Sequence, residues 1–150
     1  MVDSSVLGQY SLFDGLESGQ IDSILPMMHQ ETFEAGTDII IEDKHNDRLY
    51  FILDGNVALV KKGVILLKRD KGDIFGELEV LDTSPAEATV KALVATKVMS
   101  LSVDALGEIY EKDLKAYSFL LTNLARDVAR RLRYMNNRIV SDDTHHMEWS

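Results

Sequence analysis

The sequence predicts a mainly β fold, a double-stranded β-helix (jelly roll) with short N-terminal helices and one long C-terminal helix. Between Glu31 and Ser102, short β-rich runs alternate with glycine-containing turns at a spacing of roughly 8–12 residues, which is typical of antiparallel sandwiches and barrels. From Val103 onward, apolar residues instead recur every three or four positions, which indicates helix. No long helical stretch interrupts the β-rich part, so a parallel sheet with crossover helices is disfavoured.

The first two parts of the chain are predicted to be short helices, in residues 1–30, and a β-roll, in residues 31–102. Apolar residues at helical spacing indicate a helix at about 18–28 with Ser18 as its N-cap. The β-rich runs of the roll are TDIIIE, RLYFIL, NVALVK, VILLK, DIFG, EATVKALV and TKVMSLS. The turns that separate them include Ala35-Gly36, Asp54-Gly55, Lys62-Gly63 and Lys71-Gly72.

The C-terminal part, residues 103–140, is predicted to be helical. The segment SVDALGEIYEKD is typical of a short helix capped by Ser102 or Asp104, and one long helix of about seven turns follows. The polar segment 141–150 is expected to be flexible. At 150 residues, the chain suits a single domain, 1–150, with one adequate core.

The long helix carries an apolar stripe with an average spacing near 3.5 residues, which favours pairing with a second helix. We therefore predict a homodimer, and the alternative is a helix packed on its own β-roll. We expect the basic residues of this helix on a solvated face, with Asp127 and Arg131 as a local ion pair. The residues of the predicted dimer interface are Leu121, Leu124, Val128, Leu132 and Met135.

The charge is distributed unevenly along the chain. The net charge is −9, but residues 114–140 hold six basic residues against Asp127 alone, which is +5 and leaves −14 for the rest. A body this acidic repels a phosphate backbone, so a general nucleic-acid binder is disfavoured. The sequence contains no membrane span and no secretory signal, so we expect a cytoplasmic protein.

No catalytic or metal site is predicted from the sequence, and we expect a protein that is not an enzyme. The absence of cysteine excludes disulfides, thiolate zinc sites and cysteine nucleophiles. The four histidines form no His-x-His pair of the kind that jelly-roll metal enzymes use. A lone His29 or His45 as a haem ligand is disfavoured against a surface histidine.

Several motifs, in order along the chain, resemble those of the cyclic-nucleotide-binding domain family, which includes catabolite activator proteins and regulatory subunits of protein kinase A. They cover about Leu12 to Val140 and are LFDGL, FEAGTDIIIED, RLYFILDGNVALV, GDIFGEL, ATVKALVATKVMSL and LARDVARRL. The resemblance implies a β-roll with a ligand inside and a phosphate-binding cassette at residues 75–90. It also implies that Gly76 lets the backbone approach the ligand and that Glu77 accepts a hydrogen bond from a ribose hydroxyl.

The cassette departs from the family pattern at its end. The family's proline is followed by an arginine and small residues, but here Pro85 is followed by Ala86 and Glu87. The cation that pairs with the cyclic phosphate is therefore missing, and we predict weak or absent binding of cyclic AMP and cyclic GMP. The implied ligand-binding positions are Gly76, Glu77, Leu78, Ala86, Glu87, Ala88, Thr89 and, toward the base, Asn136.

Two functions from different classes are compatible with these patterns. The first is a regulatory, ligand-sensing domain that binds a cyclic nucleotide or another nucleotide-like molecule through an atypical cassette. The alternative is a degenerate, non-binding domain that acts as a dimerisation or protein-interaction module. No helix-turn-helix follows the long helix in the sequence, so we expect no direct DNA binding in either case.

Overall fold

The computed structural model describes residues 2–143 and confirms the predicted fold class. Eight strands form two antiparallel four-stranded sheets, in the orders β1-β8-β3-β6 and β2-β7-β4-β5. The strands are β1 (His29–Phe33), β2 (Asp38–Ile40), β3 (Arg48–Asp54), β4 (Val57–Lys61), β5 (Val64–Arg69), β6 (Ile74–Phe75), β7 (Thr89–Ala92) and β8 (Thr96–Ser102). The helices are α1 (Ser4–Leu7), α2 (Ser18–Ile24), α3 (Glu77–Asp82), α4 (Val103–Lys112) and α5 (Leu114–Asp143), with two short 3-10 helices at Ser11–Phe13 and Leu25–Met27.

Strand β3 lies at the centre of the molecule and is buried on both faces. Phe51 points into a core that the first sheet forms with the helices, whereas Ile52 points into a second core between the two sheets. The run RLYFIL is therefore almost continuously apolar, because neither face of the strand meets water. Strand β1, with the sequence HQETF, was not among the predicted runs; it is an edge strand with four exposed residues and no apolar alternation.

The predicted cap of α2 is wrong, and the structure decides between the two predicted caps of α4. Ser18 is the first residue of α2 and not its cap; Glu17 has extended backbone angles, and its N–H donates to Gln20 Oε1 over 2.9 Å. Helix α4 is capped by Ser102, whose Oγ accepts from the N–H of Ala105 over 3.0 Å. Asp104 instead lies in the first turn of α4.

Helix α5 is anchored to the body of the protein along its first half. Asp113 caps it by accepting from the Ala116 N–H over 3.0 Å and from Gln20 Nε2 over 3.2 Å. Asn123 Nδ2 donates to the carbonyl oxygens of Leu12 and Asp14 over 2.8 and 2.9 Å. The helix continues to Asp143, three residues past its predicted end, and the remaining part of the predicted flexible tail lies outside the described residues.

The predicted stripe of α5 is divided among three environments. Leu124 is only 2% exposed and belongs to the core between the first sheet and the helices, so it offers little surface to a second chain. Val128 and Met135 are partly buried and face the second sheet, whereas Leu121 and Leu132 are exposed. The first half of α5 therefore packs on its own chain, and the exposed apolar positions that remain include Leu114, Leu121, Leu132 and Ile139.

Candidate functional site

A cavity of about 300 Å³ lies between the second sheet, helix α3 and helix α5. We call it the α5 cavity. Its walls are mostly apolar, and its charged groups are three glutamates and one arginine. The lining residues are Leu59, Leu66, Leu67, Gly76, Glu77, Leu78, Glu79, Glu87, Ala88, Val90, Val128, Arg131, Leu132 and Met135.

Gly76 sets the start of helix α3 at the cavity wall. Its φ of +80° lies in the left-handed region, and a Cβ at this position would stand 2.6 Å from the carbonyl oxygen of Arg48. Only glycine meets both conditions, because any side chain would be strained and would collide with backbone. Asn46 Nδ2 holds the turn by donating to the carbonyl oxygens of Arg48 and Gly76 over 3.0 and 3.2 Å.

Glu77, the first residue of α3, is fully buried at 0% exposure. Its Oε1 accepts from Nη1 of Arg131 on α5 over 2.7 Å, whereas its Oε2 has no hydrogen-bond partner among the described residues. Burial raises the pKa of the Glu77 carboxyl above its ordinary value, and the Arg131 guanidinium opposes that rise. The ion pair joins the cassette helix directly to the long helix.

A second ion pair lies beside the first and joins α5 to strand β5. Arg69 Nη2 donates to Asp127 Oδ2 over 2.6 Å, and both side chains are largely buried. Burial raises the pKa of Asp127, and Arg69 opposes the rise. The predicted local pair of Asp127 with Arg131 is therefore wrong: each residue pairs across the fold, because α5 turns this side toward the β-roll.

Sequence reasoning missed Arg69, Asp127 and Arg131 as parts of the site. Arg131 was expected on the solvated face of α5, yet it lines the α5 cavity. One signal was available: Arg131 lies three residues after Val128 and four before Met135, so all three share one face of the helix. Arg69 gave no comparable signal, because it ends a short edge strand.

The end of the cassette is held by backbone contacts. The N–H of Ala86 donates to the Lys44 carbonyl over 2.8 Å, and its carbonyl accepts from the Asp43 N–H over 2.9 Å. The Ala86 side chain is buried and is not one of the residues that line the α5 cavity. Glu87 does line the cavity, and its exposed carboxylate pairs with Lys61 over 3.2 Å.

The other predicted ligand-binding positions fall into two groups. Leu78 and Ala88 line the α5 cavity. Thr89 does not; its Oγ1 accepts from the Glu42 N–H over 3.0 Å and so joins β7 to the segment after β2. Asn136 is exposed and outside the lining, whereas its neighbour Met135 is part of it. A role in ligand binding stays a prediction for each of these residues.

The chain also matches a protein-family model. Residues 30–113, more than half of the chain, match the model described as the cyclic nucleotide-binding domain. The chain belongs to the cyclic nucleotide-binding domain family. The resemblance that the motifs predict is thereby confirmed, and the matched span contains all eight strands apart from the first residue of β1, with helices α3 and α4.

Similar proteins within this family include transcription regulators. The chain is 27% identical over 139 residues to the CRP-like cAMP-activated global transcriptional regulator of Mycobacterium tuberculosis, which covers 89% of this chain and 60% of that protein. The chain therefore spans less than two thirds of the length of that relative.

Two solved structures share the cyclic nucleotide-binding fold with this chain. A cyclic nucleotide-binding domain from Methylobacillus flagellatus has a TM-score of 0.84 at 24% identity, over 92% of this chain and 80% of that one. The catabolite activator protein of Thermus thermophilus has a TM-score of 0.73 at 25% identity, over 86% of this chain and 61% of that one.

The described residues form neither a metal-binding cluster nor a membrane-spanning helix. Over residues 2–143, no group of three or more His, Asp or Glu side chains is placed to hold a metal ion. His29 and His45 are exposed, and the remaining two histidines lie outside the described residues. No helix within the described range is long and apolar enough to cross a bilayer.

Proposed function

We propose that this chain is a regulatory domain that binds a small molecule in the α5 cavity and signals its occupancy through helix α5. The observation that carries the proposal is the buried ion pair between Glu77 and Arg131, which joins the cassette helix to α5 at the cavity wall. A ligand beside these two groups must change their contacts, and α5 would respond because Arg131 belongs to it. Membership of the cyclic nucleotide-binding domain family supports a sensing role.

We propose further that the phosphate cassette is atypical and that cyclic AMP and cyclic GMP bind weakly. Among the residues that line the α5 cavity, Arg131 is the sole cation, and it is already paired with Glu77. A cyclic phosphate that took Arg131 would leave the Glu77 carboxylate buried without a partner. Breaking a buried pair in this way costs about 3–5 kcal/mol, against the roughly 8 kcal/mol that corresponds to micromolar affinity.

Calorimetric titration with cyclic AMP and cyclic GMP tests the cassette. We expect dissociation constants above the micromolar range for the parent protein. The variant Glu87→Arg should bind cyclic AMP at least tenfold more tightly, since Glu87 lines the cavity and the change replaces a carboxylate with a cation. Glu87→Ala alone is the matched control and should give a smaller gain, because it removes repulsion without adding a phosphate partner.

Two results would contradict this proposal. Submicromolar binding of cyclic AMP by the parent would mean that the missing arginine does not matter. A Glu87→Arg variant that folds but gains no affinity would mean that the cation is not what the cavity lacks. In the variant that binds, cyclic AMP should also change amide hydrogen exchange along α5, and an unchanged α5 would contradict its reporting role.

The proposed domain acts without catalysis, in the cytoplasm and without direct contact with DNA. The acidic charge of −14 outside residues 114–140 supports the last point, because such a surface repels a phosphate backbone. We propose that its output is protein–protein contact and that it forms a homodimer through the exposed apolar residues of α5. The apolar residues left exposed at Leu114, Leu121 and Ile139 support the dimer.

A further inference from the structure

We infer that Arg69 is a positioning residue: by holding Asp127, it leaves Arg131 to the cassette helix α3 and so couples α5 to the phosphate cassette. This role rests on the proposed function, in which the pair of Glu77 with Arg131 reports on the cavity. It assigns the control of that pair to a residue that does not line the cavity. Three observations carry it: two carboxylates compete for Arg131, α5 packs loosely beyond Asp127, and Arg69 is incompletely hydrogen-bonded.

Arg131 lies near two carboxylates. Glu77 lies across the fold on α3 and is the observed partner, with Nη1 donating to Oε1 over 2.7 Å. Asp127 lies four residues earlier on α5 itself, a spacing at which a carboxylate and an arginine pair within a helix. Burial raises the pKa of Asp127, and Arg69 and, more weakly, Arg131 oppose that rise. Arg131 therefore acts on both carboxyls, and its side chain can bind either.

Arg69 removes Asp127 from this competition. Its Nη2 donates to Asp127 Oδ2 over 2.6 Å, and both side chains are largely buried. A carboxylate that already has a cation beside it attracts a second cation less strongly, because the first cancels most of its field. Asp73 also acts on Asp127, but it is an acid and cannot replace Arg69. Without Arg69, the Asp127 carboxylate would draw Arg131 back along the helix and away from α3.

Apolar packing does not fix the part of α5 that carries Arg131. The core residues Leu120 and Leu124 hold the first half of the helix, and Asp127 follows them as a buried residue. From 128 to 142, side chains are half-buried or exposed, so a change of arginine rotamer or a small rotation of the helix meets little steric resistance. The partner of Arg131 is therefore decided by charge.

Arg69 is poorly suited to a purely stabilising role. Its Nε is buried without a hydrogen-bond partner among the described residues. A buried ion pair adds little net stability unless its remaining polar atoms are also satisfied. The pair with Asp127 is better explained by the contacts that it selects than by the stability that it adds. An apolar side chain of similar volume at position 69 is accordingly expected to leave the fold intact.

Arg69→Met tests this role through a pair of titrations. The pKa of the Glu77 carboxyl is measured by carboxyl-carbon NMR without ligand, with and without the additional change Arg131→Gln. In the parent, Arg131→Gln should raise this pKa, because it removes the cation beside the carboxylate. In Arg69→Met, most of that effect should be lost, since Arg131 has already moved to Asp127.

Removing the competing carboxylate should restore the coupling. In the double variant Arg69→Met with Asp127→Ala, Arg131 no longer has an acid one turn away, so Arg131→Gln should again raise the pKa of Glu77. This restoration separates positioning from a structural role, because a merely structural pair would be damaged further by the second change. Arg69→Lys keeps a cation for Asp127 and should retain the effect. Arg126→Gln, which removes an exposed cation from the same helix, is the control and should also retain it.

Two results would overturn the positioning role. If Arg131→Gln raises the pKa of Glu77 equally in the parent and in Arg69→Met, Arg131 reaches α3 without help from Arg69. If the effect is lost in Arg69→Met and Asp127→Ala does not restore it, the loss reflects structural damage. Circular dichroism and thermal unfolding establish that the variants fold. Should Arg69→Met not fold, Arg69→Gln gives the same test, because its shorter side chain ends before it reaches Asp127.

These titrations need no ligand, so they separate the role of Arg69 from the proposed function. Equal effects of Arg131→Gln in the parent and in Arg69→Met would leave the sensing function to the cassette variants and the α5 exchange measurements. If Arg131→Gln leaves the pKa of Glu77 unchanged in the parent itself, the ion pair that carries the proposed function is absent, and both proposals fail.

Discussion

At the scale of single residues, two ion pairs define the site, and both depend on burial. The Glu77 carboxyl lies at 0% exposure beside Arg131, and Asp127 lies beside Arg69 on the same side of α5. In both cases, burial raises the pKa of the carboxyl and the arginine only partly restores it. Ionising either carboxyl therefore costs the folded protein stability, and such perturbed groups are common at binding sites.

Stability should accordingly depend on pH through Glu77. Because its pKa is raised in the folded state, the folded protein holds this proton more tightly than the unfolded chain does. Its stabilising contribution is fully present below the unfolded value of about 4.3 and is lost as the pH rises through the folded value. The groups that face it include Arg131 and Asp127 on α5 and Arg69 on β5.

We expect the free energy of unfolding of the parent, relative to Glu77→Gln, to increase as the pH falls from 7 toward about 4.3. Chemical denaturation of both proteins at several pH values measures this difference. The comparison cancels, to first order, the titration of the carboxyls that the two proteins share. A difference that instead decreases on acidification would mean that the Arg131 pair dominates over burial.

At the scale of elements, capping side chains begin α4 and α5. Ser102 ends β8 and accepts from the N–H of Ala105, so one residue ends a strand and starts a helix. Asp113 follows the end of α4, caps α5 by accepting from the Ala116 N–H, and also accepts from Gln20 on α2. The pKa of Asp113 is lowered mainly by the hydrogen bond from the Ala116 N–H. The start of α5 is therefore fixed by polar contacts at Asp113, which lies between α4 and α5 and is bound to α2 through Gln20.

Ser102→Ala should destabilise the protein by about 1 kcal/mol, the usual cost of removing an N-cap side chain. Denaturant unfolding measures the change. Ser23→Ala is the matched control, because Ser23 lies inside α2 and its hydroxyl donates to the Gly19 carbonyl in the same helix. We expect the control to change stability by less than about 0.5 kcal/mol, and an equal effect of both variants would contradict the capping role.

At the scale of the whole molecule, one side of α5 packs on the chain's own β-roll, and the other side is exposed to solvent. Arg131 and Asp127 hold one side to the roll, and Arg138 adds a hydrogen bond from Nη1 to the Leu66 carbonyl. The exposed side carries apolar residues, including Leu121 at 41% exposure. A ligand-dependent change in α5 would thus reach a surface that a second chain could cover.

We predict a homodimer at micromolar concentration by sedimentation, and Leu121→Glu should weaken it at least tenfold. Thr122→Glu, an exposed neighbour that is not on the stripe, is the control and should leave the dimer intact. Leu124→Glu is unsuitable as a dimer variant, because Leu124 is a core residue and a buried charge there would unfold the domain. A monomeric parent at micromolar concentration would contradict the prediction.

The sequence by itself determined the architecture. Turn glycines at regular intervals, apolar runs between them and the change to helical period near Val103 are local signals, and they predicted the β-roll and the long helix. The cassette position was predictable for the same reason, because Gly76 and Glu77 are adjacent in a recognisable motif. Strand β1 was not predicted, because an exposed edge strand needs no apolar pattern.

The tertiary structure alone decided what the site contains. Glu77 and Arg131 are 54 residues apart, and Arg69 and Asp127 are 58 apart, so no local periodicity connects them. Within α5, the sequence predicted an ion pair between Asp127 and Arg131, since a helix brings residues four apart together. Packing against the roll instead places each of them beside a buried partner of opposite charge. These pairs form because charges removed from water interact more strongly than charges at a surface. The same packing decided which stripe residues became core, which became cavity wall and which stayed exposed.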